Sequence, residues 1–240
     1  MGKDVLKGLS FSIAPGEALG VIGASGAGKT TLLNLVLGLE EPTEGRILLD
    51  GEPWSPLPEP ARRARRPRIQ AVFQDALASL PPHRTGWEIL QEPLEIWNRG
   101  TPQARREAAA RMAARVKFPE PALEQCPAAW SGGLAQRLCL GRALMLEPGL
   151  LVLDEPFSSL DPTLAGHLMA LLLELKAEGT ALLLVSHDLL SIQALCDRML
   201  ALKDGQALCQ GPVGQLLSDP PHPHLGELKA IGHQLSVIEG

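Results

Sequence analysis

The chain has 240 residues, of which 45% are hydrophobic and 20% charged, and this composition is typical of one large globular domain or a domain with an insertion. The formal net charge of −5 argues against general nucleic-acid binding, because neutralising phosphates requires a basic surface. No apolar run approaches the roughly 18 residues of a membrane span, and the four cysteines lack CxxC spacing, which predicts reduced thiols and no structural metal.

The first predicted elements are two strands. Leu9, Phe11 and Ile13 alternate with polar or small residues, which predicts a strand that ends at the turn Pro15-Gly16. Residues 17–22 predict a second strand, and residues 31–39 have a helix-like pattern. A glycine-rich segment therefore lies between a predicted strand and a predicted helix.

That segment has the spacing of a phosphate-binding loop. Its residues are Gly23, Ala24, Ser25, Gly26, Ala27, Gly28, Lys29 and Thr30, followed by Thr31. Glycines let backbone N–H groups converge on phosphate oxygens, and the following helix adds the positive end of its dipole. In such a loop we expect Lys29 to hold the β- and γ-phosphates and Thr30 to hold Mg²⁺. An ordinary glycine-rich turn is the alternative, and the flanking strand and helix argue against it.

The middle of the chain changes from strands to helices. Residues 46–50 and 69–73 predict short strands, whereas residues 76–148 have helical composition, with helices expected over 86–97 and 102–117. We interpret this block as a helical insertion. Between the two short strands lies a cluster of arginines that predicts a solvated loop, with anionic lipid or nucleic acid as alternative contacts: Arg62, Arg63, Arg65, Arg66 and Arg68.

After the helical block, strands and helices alternate again. Residues 150–153 form an apolar run that ends in Asp154-Glu155, as expected for a strand buried on both faces. The further predicted elements are a helix from Asp161-Pro162 to residue 179, a strand over 181–185 and a hairpin over 198–210. The whole pattern predicts an α/β fold with a mostly parallel sheet, a P-loop NTPase core that binds ligands at the carboxyl ends of its strands.

The two carboxylates at the end of this strand are candidates for ATP hydrolysis chemistry. Asp154 can coordinate Mg²⁺ directly or through water, and Glu155 can orient and polarise an attacking water. Solvated carboxylates at a strand end are the alternative, and the phosphate loop earlier in the chain favours the functional interpretation.

Four more features follow in a fixed order: Gln74 after an apolar strand, Ser131-Gly132-Gly133 at a helix start, Ser159-Leu160-Asp161 after the carboxylates, and His187 after the next strand. With these residues the chain resembles, over nearly its full length, the ATP-binding subunits of ATP-binding cassette (ABC) transporters. The resemblance implies an ABC ATPase fold, ATP and Mg²⁺ as ligands, and ATP hydrolysis.

The resemblance also implies a role for each feature. Gln74 would ligate Mg²⁺ and link it and the attacking water to a membrane partner, and His187 would contact the γ-phosphate. Ser131, Gly132 and Gly133 would cap the γ-phosphate bound by the opposite subunit, and Asp161 would communicate across the dimer. A second anion cradle at a helix N-terminus agrees with two subunits that complete each other's sites.

Two departures from the family pattern carry expectations. The signature segment (residues 130–134) reads Trp130-Ser131-Gly132-Gly133-Leu134 instead of Leu-Ser-Gly-Gly-Gln, which predicts weakened but not abolished hydrolysis. Family members also carry an upstream strand and an aromatic residue that stacks on adenine, whereas Phe11 here is expected in the core. The hypothesis is that the chain lacks a natural N-terminal portion or binds the base loosely.

Within the family the resemblance is to dipeptide, oligopeptide and nickel importers, with the nickel-type subunit nearest. It implies permease subunits, a second ATP-binding subunit in a homodimer or heterodimer, indirectly an extracytoplasmic binding protein, and a peripheral position on the cytoplasmic face of the membrane. The alternatives are a soluble ABC-type ATPase and a P-loop kinase of a small metabolite.

The predicted domain organisation has three parts. These are a P-loop ATPase core (1–75 and 149–210), a helical subdomain with the signature segment (76–148) and a C-terminal extension (211–240). In the extension, His222 and His224 predict a proline-rich surface loop, with a metal site as the alternative.

Overall fold

A computed structural model describes residues 5–158 and 160–219. The strands in these residues are β1 (Ala18–Gly23), β2 (Ile47–Leu49), β3 (Glu52–Ser55), β4 (Ile69–Val72), β5 (Leu150–Asp154), β6 (Ala181–Val185), β7 (Arg198–Lys203) and β8 (Gln206–Pro212). The helices are α1 (Lys29–Val36), α2 (Glu59–Arg63), α3 (Gly86–Ile96), α4 (Pro102–Arg115), α5 (Gly132–Leu144), α6 (Pro162–Ala177), α7 (Leu189–Leu195) and α8 (Val213–Ser218). The chain divides into two compact units, one up to Arg66 and again from Ala181, the other Pro67–Thr180.

The first unit is built on a parallel sheet. Strand β1 pairs in parallel with β6 on one side and with β7 on the other, so that Val21 lies opposite Val185 and Leu200. Every residue of β1 and β6 is buried, as expected for continuous apolar strands covered on both faces. Strand β8 returns antiparallel to β7 in the predicted hairpin.

The second unit joins a parallel strand pair to helices. Strands β4 and β5 run in parallel, with Val72 opposite Leu153. Helix α5 is apolar on most of its surface and buries Leu138, Leu140 and Leu144. Thr101 is the N-cap of α4, because its hydroxyl accepts a hydrogen bond from the Ala104 amide at 3.2 Å. Parallel strands and helices in both units confirm the α/β fold class.

The first predicted strand is wrong. Residues 9–13 alternate between half-buried and exposed positions, as the pattern indicated, but they form no strand. Side chains satisfy backbone groups in this segment: Arg198 donates to the Ser12 carbonyl at 3.2 Å, and Glu17 accepts from the Ala14 amide at 2.7 Å. The alternation of apolar and polar residues therefore indicated which side chains face the protein, but the backbone is not paired with a neighbouring strand.

The prediction of a solvated arginine loop is also wrong for three of its members. Arg62 is 7% exposed. The guanidinium groups of Arg65 and Arg66 lie 5.9 and 5.2 Å from the ring centroid of Trp54, within cation–π range. Arg66 also donates to the Gly38 carbonyl beyond the end of α1. These arginines hold the β2–β3 hairpin against the C-terminus of α1, where cations are favourable.

No helix among the described residues is both long and apolar enough to cross a membrane. The division into core, helical subdomain and C-terminal extension remains a prediction. Residues 220–240, including His222 and His224, lie outside the described part of the chain, so the interpretation of those histidines stands as an expectation.

Candidate nucleotide site

The phosphate loop (residues 23–30) follows β1 and leads directly into α1. Gly26 and Gly28 have φ values of 80° and 103°, which lie in the left-handed region that favours glycine. A Cβ at Gly23 would approach the Leu202 carbonyl oxygen to 2.5 Å, so this position also requires glycine. The Gly205 amide donates to the Ala27 carbonyl at 3.1 Å and ties the loop to the β7–β8 turn.

The N-terminus of α1 has no side-chain cap. Its N-cap residue is Gly28, so no side chain accepts a hydrogen bond from the first amides of the helix. Lys29 folds back over the loop, and its Nζ donates to the Gly23 carbonyl at 2.7 Å and to the Ala24 carbonyl at 3.1 Å. Thr30 is exposed, and Thr31 is half-buried on the first turn. Uncapped amides beside an ammonium group form an anion site.

His187 lies at the same edge of the first unit's sheet as the phosphate loop. Strands β1 and β6 are parallel neighbours, so the loop after β1 and the residues after β6 leave the sheet side by side. His187 is exposed and follows the buried Ser186. The next residue, Asp188, caps α7, because its carboxylate accepts from the amides of Leu190 and Ser191. His187 thus follows β6 at the sheet edge where the phosphate loop follows β1.

In the second unit, Gln74 and Asp154 line one pocket. Their strands, β4 and β5, are parallel neighbours, so both residues leave the sheet at its carboxyl edge. The pocket measures about 600 Å³ and also contains Gly132 and Ser158. The Asp154 carboxylate and the Gln74 amide oxygen suit Mg²⁺, which commonly takes one or two carboxylates and completes its shell with water and substrate phosphates.

Glu155 follows Asp154 in an unusual conformation. Its φ is 50°, in the left-handed region that non-glycine residues rarely occupy. The Glu155 carbonyl accepts from the Ser158 hydroxyl at 2.9 Å and from the Ser158 amide at 3.3 Å, which closes a tight turn. Glu155 is half-buried directly after β5, next to Asp154 of the pocket. A carboxylate at this position can act on a bound water.

The signature segment is a helix start anchored by an aromatic residue. Ser131 is the N-cap of α5, and its hydroxyl accepts from the Leu134 amide at 3.3 Å while keeping its own hydrogen for donation. Before it, Trp130 is 6% exposed, and its ring packs edge to face against Phe118 with 5.3 Å between the ring centroids. Its Nε1 donates to the Ala122 carbonyl. Gly133 is buried, and Leu134 is half-buried.

Asp161 and Arg137 are electrostatic neighbours. Asp161 caps α6 by accepting from the Leu164 amide at 2.9 Å, whereas Ser159 lies outside the described residues. Burial lowers the pKa of the Arg137 guanidinium, and the negative charge of Asp161 partly offsets this effect. Arg137 also donates to the carbonyls of Gly133 and Lys117, so it secures the first turn of α5.

The structure thus brings the predicted residues together in two sets. The first unit places the phosphate loop and His187 at one sheet edge, and the second joins Gln74 and Asp154 to Gly132 in one pocket, with Glu155 in the adjacent turn. Sequence reasoning gave no role to Trp130 or Arg137 as supports of the signature segment. The available signals were an aromatic residue directly before a helix cap and an arginine about one and a half turns into the helix.

A family profile described as "ABC transporter" matches residues 6–158. The chain belongs to the ABC transporter family. A putative peptide import ATP-binding protein of Brucella ovis is 39% identical over 221 residues, which cover 92% of this chain and 70% of that protein. The nickel import ATP-binding protein NikE of Escherichia coli K12 is 38% identical over 215 residues, which cover 89% of this chain and 80% of NikE.

Solved structures agree with the family assignment. The ATP-binding cassette MJ0796, in a dimeric post-hydrolysis state bound to ADP and Pi, matches with a TM-score of 0.82 and 30% identity. The match covers 89% of this chain and 94% of the cassette. CbiO1 of Clostridium perfringens, part of the ABC transporter complex cbiONQ, covers 97% of this chain at 27% identity with a TM-score of 0.79. The chain is therefore an ATP-binding ABC ATPase.

The departure at Leu134 carries a testable expectation. Replacing this half-buried leucine with the family's glutamine should raise ATP turnover severalfold, because one regained hydrogen bond contributes about 0.5–1.5 kcal/mol. Steady-state ATPase rates of Leu134→Gln and wild type would measure the change. Leu134→Met, which stays apolar, serves as the matched control, and equal turnover in all three proteins would show that the departure has no kinetic consequence.

Proposed function

We propose that this chain is the ATP-hydrolysing subunit of an importer for peptides or nickel complexes. The observation that carries the proposal is the uncapped, positively charged phosphate loop at the start of α1. It is joined by Gln74, Asp154 and Glu155 at the ends of the neighbouring strands β4 and β5. The similarity to importer subunits named for peptide and nickel import supports the transport role and the two candidate cargoes.

The chain's own residues account for the steps of hydrolysis. Loop amides and the Lys29 ammonium, which lies over the loop, bind the β- and γ-phosphates of ATP. Glu155 orients a water for attack on the γ-phosphorus and accepts its proton, while His187 donates to a γ-phosphate oxygen. Thr30, Gln74 and Asp154 offer oxygen donors for Mg²⁺, which would neutralise charge on the phosphates.

We further propose that ATP joins two ATP-binding subunits. The Ser131 hydroxyl and the amides of Gly132 and Gly133 would reach the γ-phosphate held by the partner subunit's phosphate loop. Closure of this dimer would move permease subunits through the surface around Gln74, and hydrolysis would reopen it. Exposed Phe73 and Leu77 flank Gln74 and support a contact there, since large apolar side chains on a surface favour an interface. A binding protein outside the membrane would act on the permeases.

Co-purification tests the transport role. An affinity-tagged copy of the chain, expressed in its own cells and extracted with mild detergent, should bring down integral membrane permeases with ATPase activity. Removal of Phe73 and Leu77 by alanine substitution should weaken this capture without lowering the ATP affinity of the isolated chain. Recovery of the chain without any membrane protein, or transfer of phosphate from ATP to a small metabolite, would contradict the proposal and favour a soluble ATPase or a kinase.

A further inference from the structure

One buried amide is left unpaired in the second unit. Gln136 lies on α5 and is 2% exposed. Within the described part of the chain, neither its Nε2 nor its Oε1 has a hydrogen-bond partner. Buried polar groups are nearly always paired, because an unmade hydrogen bond leaves the full desolvation penalty uncompensated. The amide is therefore available to a partner that another conformation of the chain would supply.

The surroundings of Gln136 indicate where that partner lies. A void of about 10 Å³ lies beside the Gln136 side chain. Its lining includes Val72 and Leu153, near the carboxyl ends of β4 and β5, and Pro156, which lies just after β5. Pro156 directly follows Glu155. The unpaired amide thus borders the turn that positions the proposed general base.

That turn is itself in a strained conformation. Glu155 has a φ of 50°, and it precedes a proline, which disfavours helical conformations in the preceding residue. Such conformations persist only where the surroundings hold them, and they are common in elements that switch between states. The Glu155 carbonyl accepts both hydrogen bonds from Ser158, so a change in φ at Glu155 would reorganise the turn's pairing.

We propose that Gln136 is a positioning residue for Glu155. When the turn formed by residues 155–158 reorganises around bound ATP, the Gln136 amide hydrogen-bonds to the backbone of this turn and holds the Glu155 carboxylate toward the attacking water. In the reorganised turn, the Gln136 amide would gain a hydrogen-bond partner and Glu155 would gain a fixed position. This inference rests on the proposed function of Glu155 in ATP hydrolysis.

Gln136→Met tests the contact, because methionine keeps the length and shape of glutamine without its polar atoms. We expect kcat for ATP to fall about three- to tenfold, the effect of losing one hydrogen bond, while KM stays within about twofold. The melting temperature of the nucleotide-free variant should equal or exceed that of wild type, since the unpaired amide is gone. Leu140→Met, which changes a neighbour that lines the same void, should leave kcat and KM unchanged.

Amide hydrogen exchange provides a readout that is independent of turnover. In wild type, ATP should slow exchange in the turn at residues 157 and 158, and Gln136→Met should lose this protection while still binding ATP. Equal ATP-induced protection in both proteins, or a kcat that falls only together with the melting temperature, would overturn the inference. The second result would mean that Gln136 merely packs. Failure of wild-type chain to hydrolyse ATP would instead count against the proposed function, and the exchange comparison would still decide the contact.

Discussion

Glu155→Gln is expected to lower kcat for ATP hydrolysis by at least about 100-fold, since a positioned general base contributes 10²–10⁴-fold. Glutamine keeps the size of the side chain but cannot accept the proton of the attacking water. The backbone hydrogen bonds from Ser158 to the Glu155 carbonyl remain available, so the turn should keep its geometry. Single-turnover measurements with saturating ATP would separate this loss from any change in binding.

The same variant should still bind ATP and accumulate as an ATP-bound dimer, because association precedes hydrolysis in the proposed cycle. Size-exclusion chromatography with and without ATP would detect it. Glu120→Gln, which alters an exposed carboxylate in the same unit, is the matched control and should retain wild-type turnover. Turnover of Glu155→Gln within tenfold of wild type would assign the general base to another residue.

Lys29→Ala is expected to weaken ATP binding by at least about 100-fold, because two charge-assisted hydrogen bonds to phosphate contribute about 1.5–3 kcal/mol each. The ammonium donates to the carbonyls of Gly23 and Ala24, so its position over the loop is already set. The variant also loses these two hydrogen bonds, so its melting temperature without ATP should fall, whereas the loss of phosphate binding should appear in the dissociation constant.

Isothermal titration with ATP would measure the effect of Lys29→Ala. Lys176→Ala, on helix α6 and away from the loop sequence, controls for the loss of one positive charge and should bind ATP as wild type does. If Lys29→Ala bound ATP with unchanged affinity, the glycine-rich segment would be an ordinary turn and not a phosphate loop.

Much of the framework follows from the sequence because local rules dominate there. Strands β5 and β6 are continuous apolar runs, which only a strand covered on both faces accommodates at that length. The helix starts predicted near residues 102, 131 and 161 are also present, and Thr101, Ser131 and Asp161 each cap one by accepting from an amide three residues later. These features depend on a few neighbouring residues, so the sequence specifies them directly.

Features that depend on distant partners were not predictable in this way. The burial of Arg62 and the stacking of Arg65 and Arg66 require Trp54 and the end of α1, which no local pattern joins to an arginine-rich segment. The strand predicted over residues 9–13 is absent because alternating residues indicate a half-buried segment but do not supply a neighbouring strand for it to pair with.

The candidate site shows the same contrast. The prediction of a phosphate loop rests on residues close together in the sequence, and in the structure Gly23, Gly26 and Gly28 each have a close contact or a left-handed backbone. The unpaired amide of Gln136 and the left-handed conformation of Glu155 had no sequence signal, because both arise from packing between elements far apart in the chain.

We propose that ATP lies between the phosphate loop of one subunit and the signature segment of another. A structure of the Glu155→Gln assembly with ATP and Mg²⁺ would decide this. We expect the Ser131 hydroxyl of one subunit within about 3 Å of a γ-phosphate oxygen held by the other subunit's phosphate-loop lysine. ATP held by Lys29 with Ser131 of every subunit facing only solvent would contradict it.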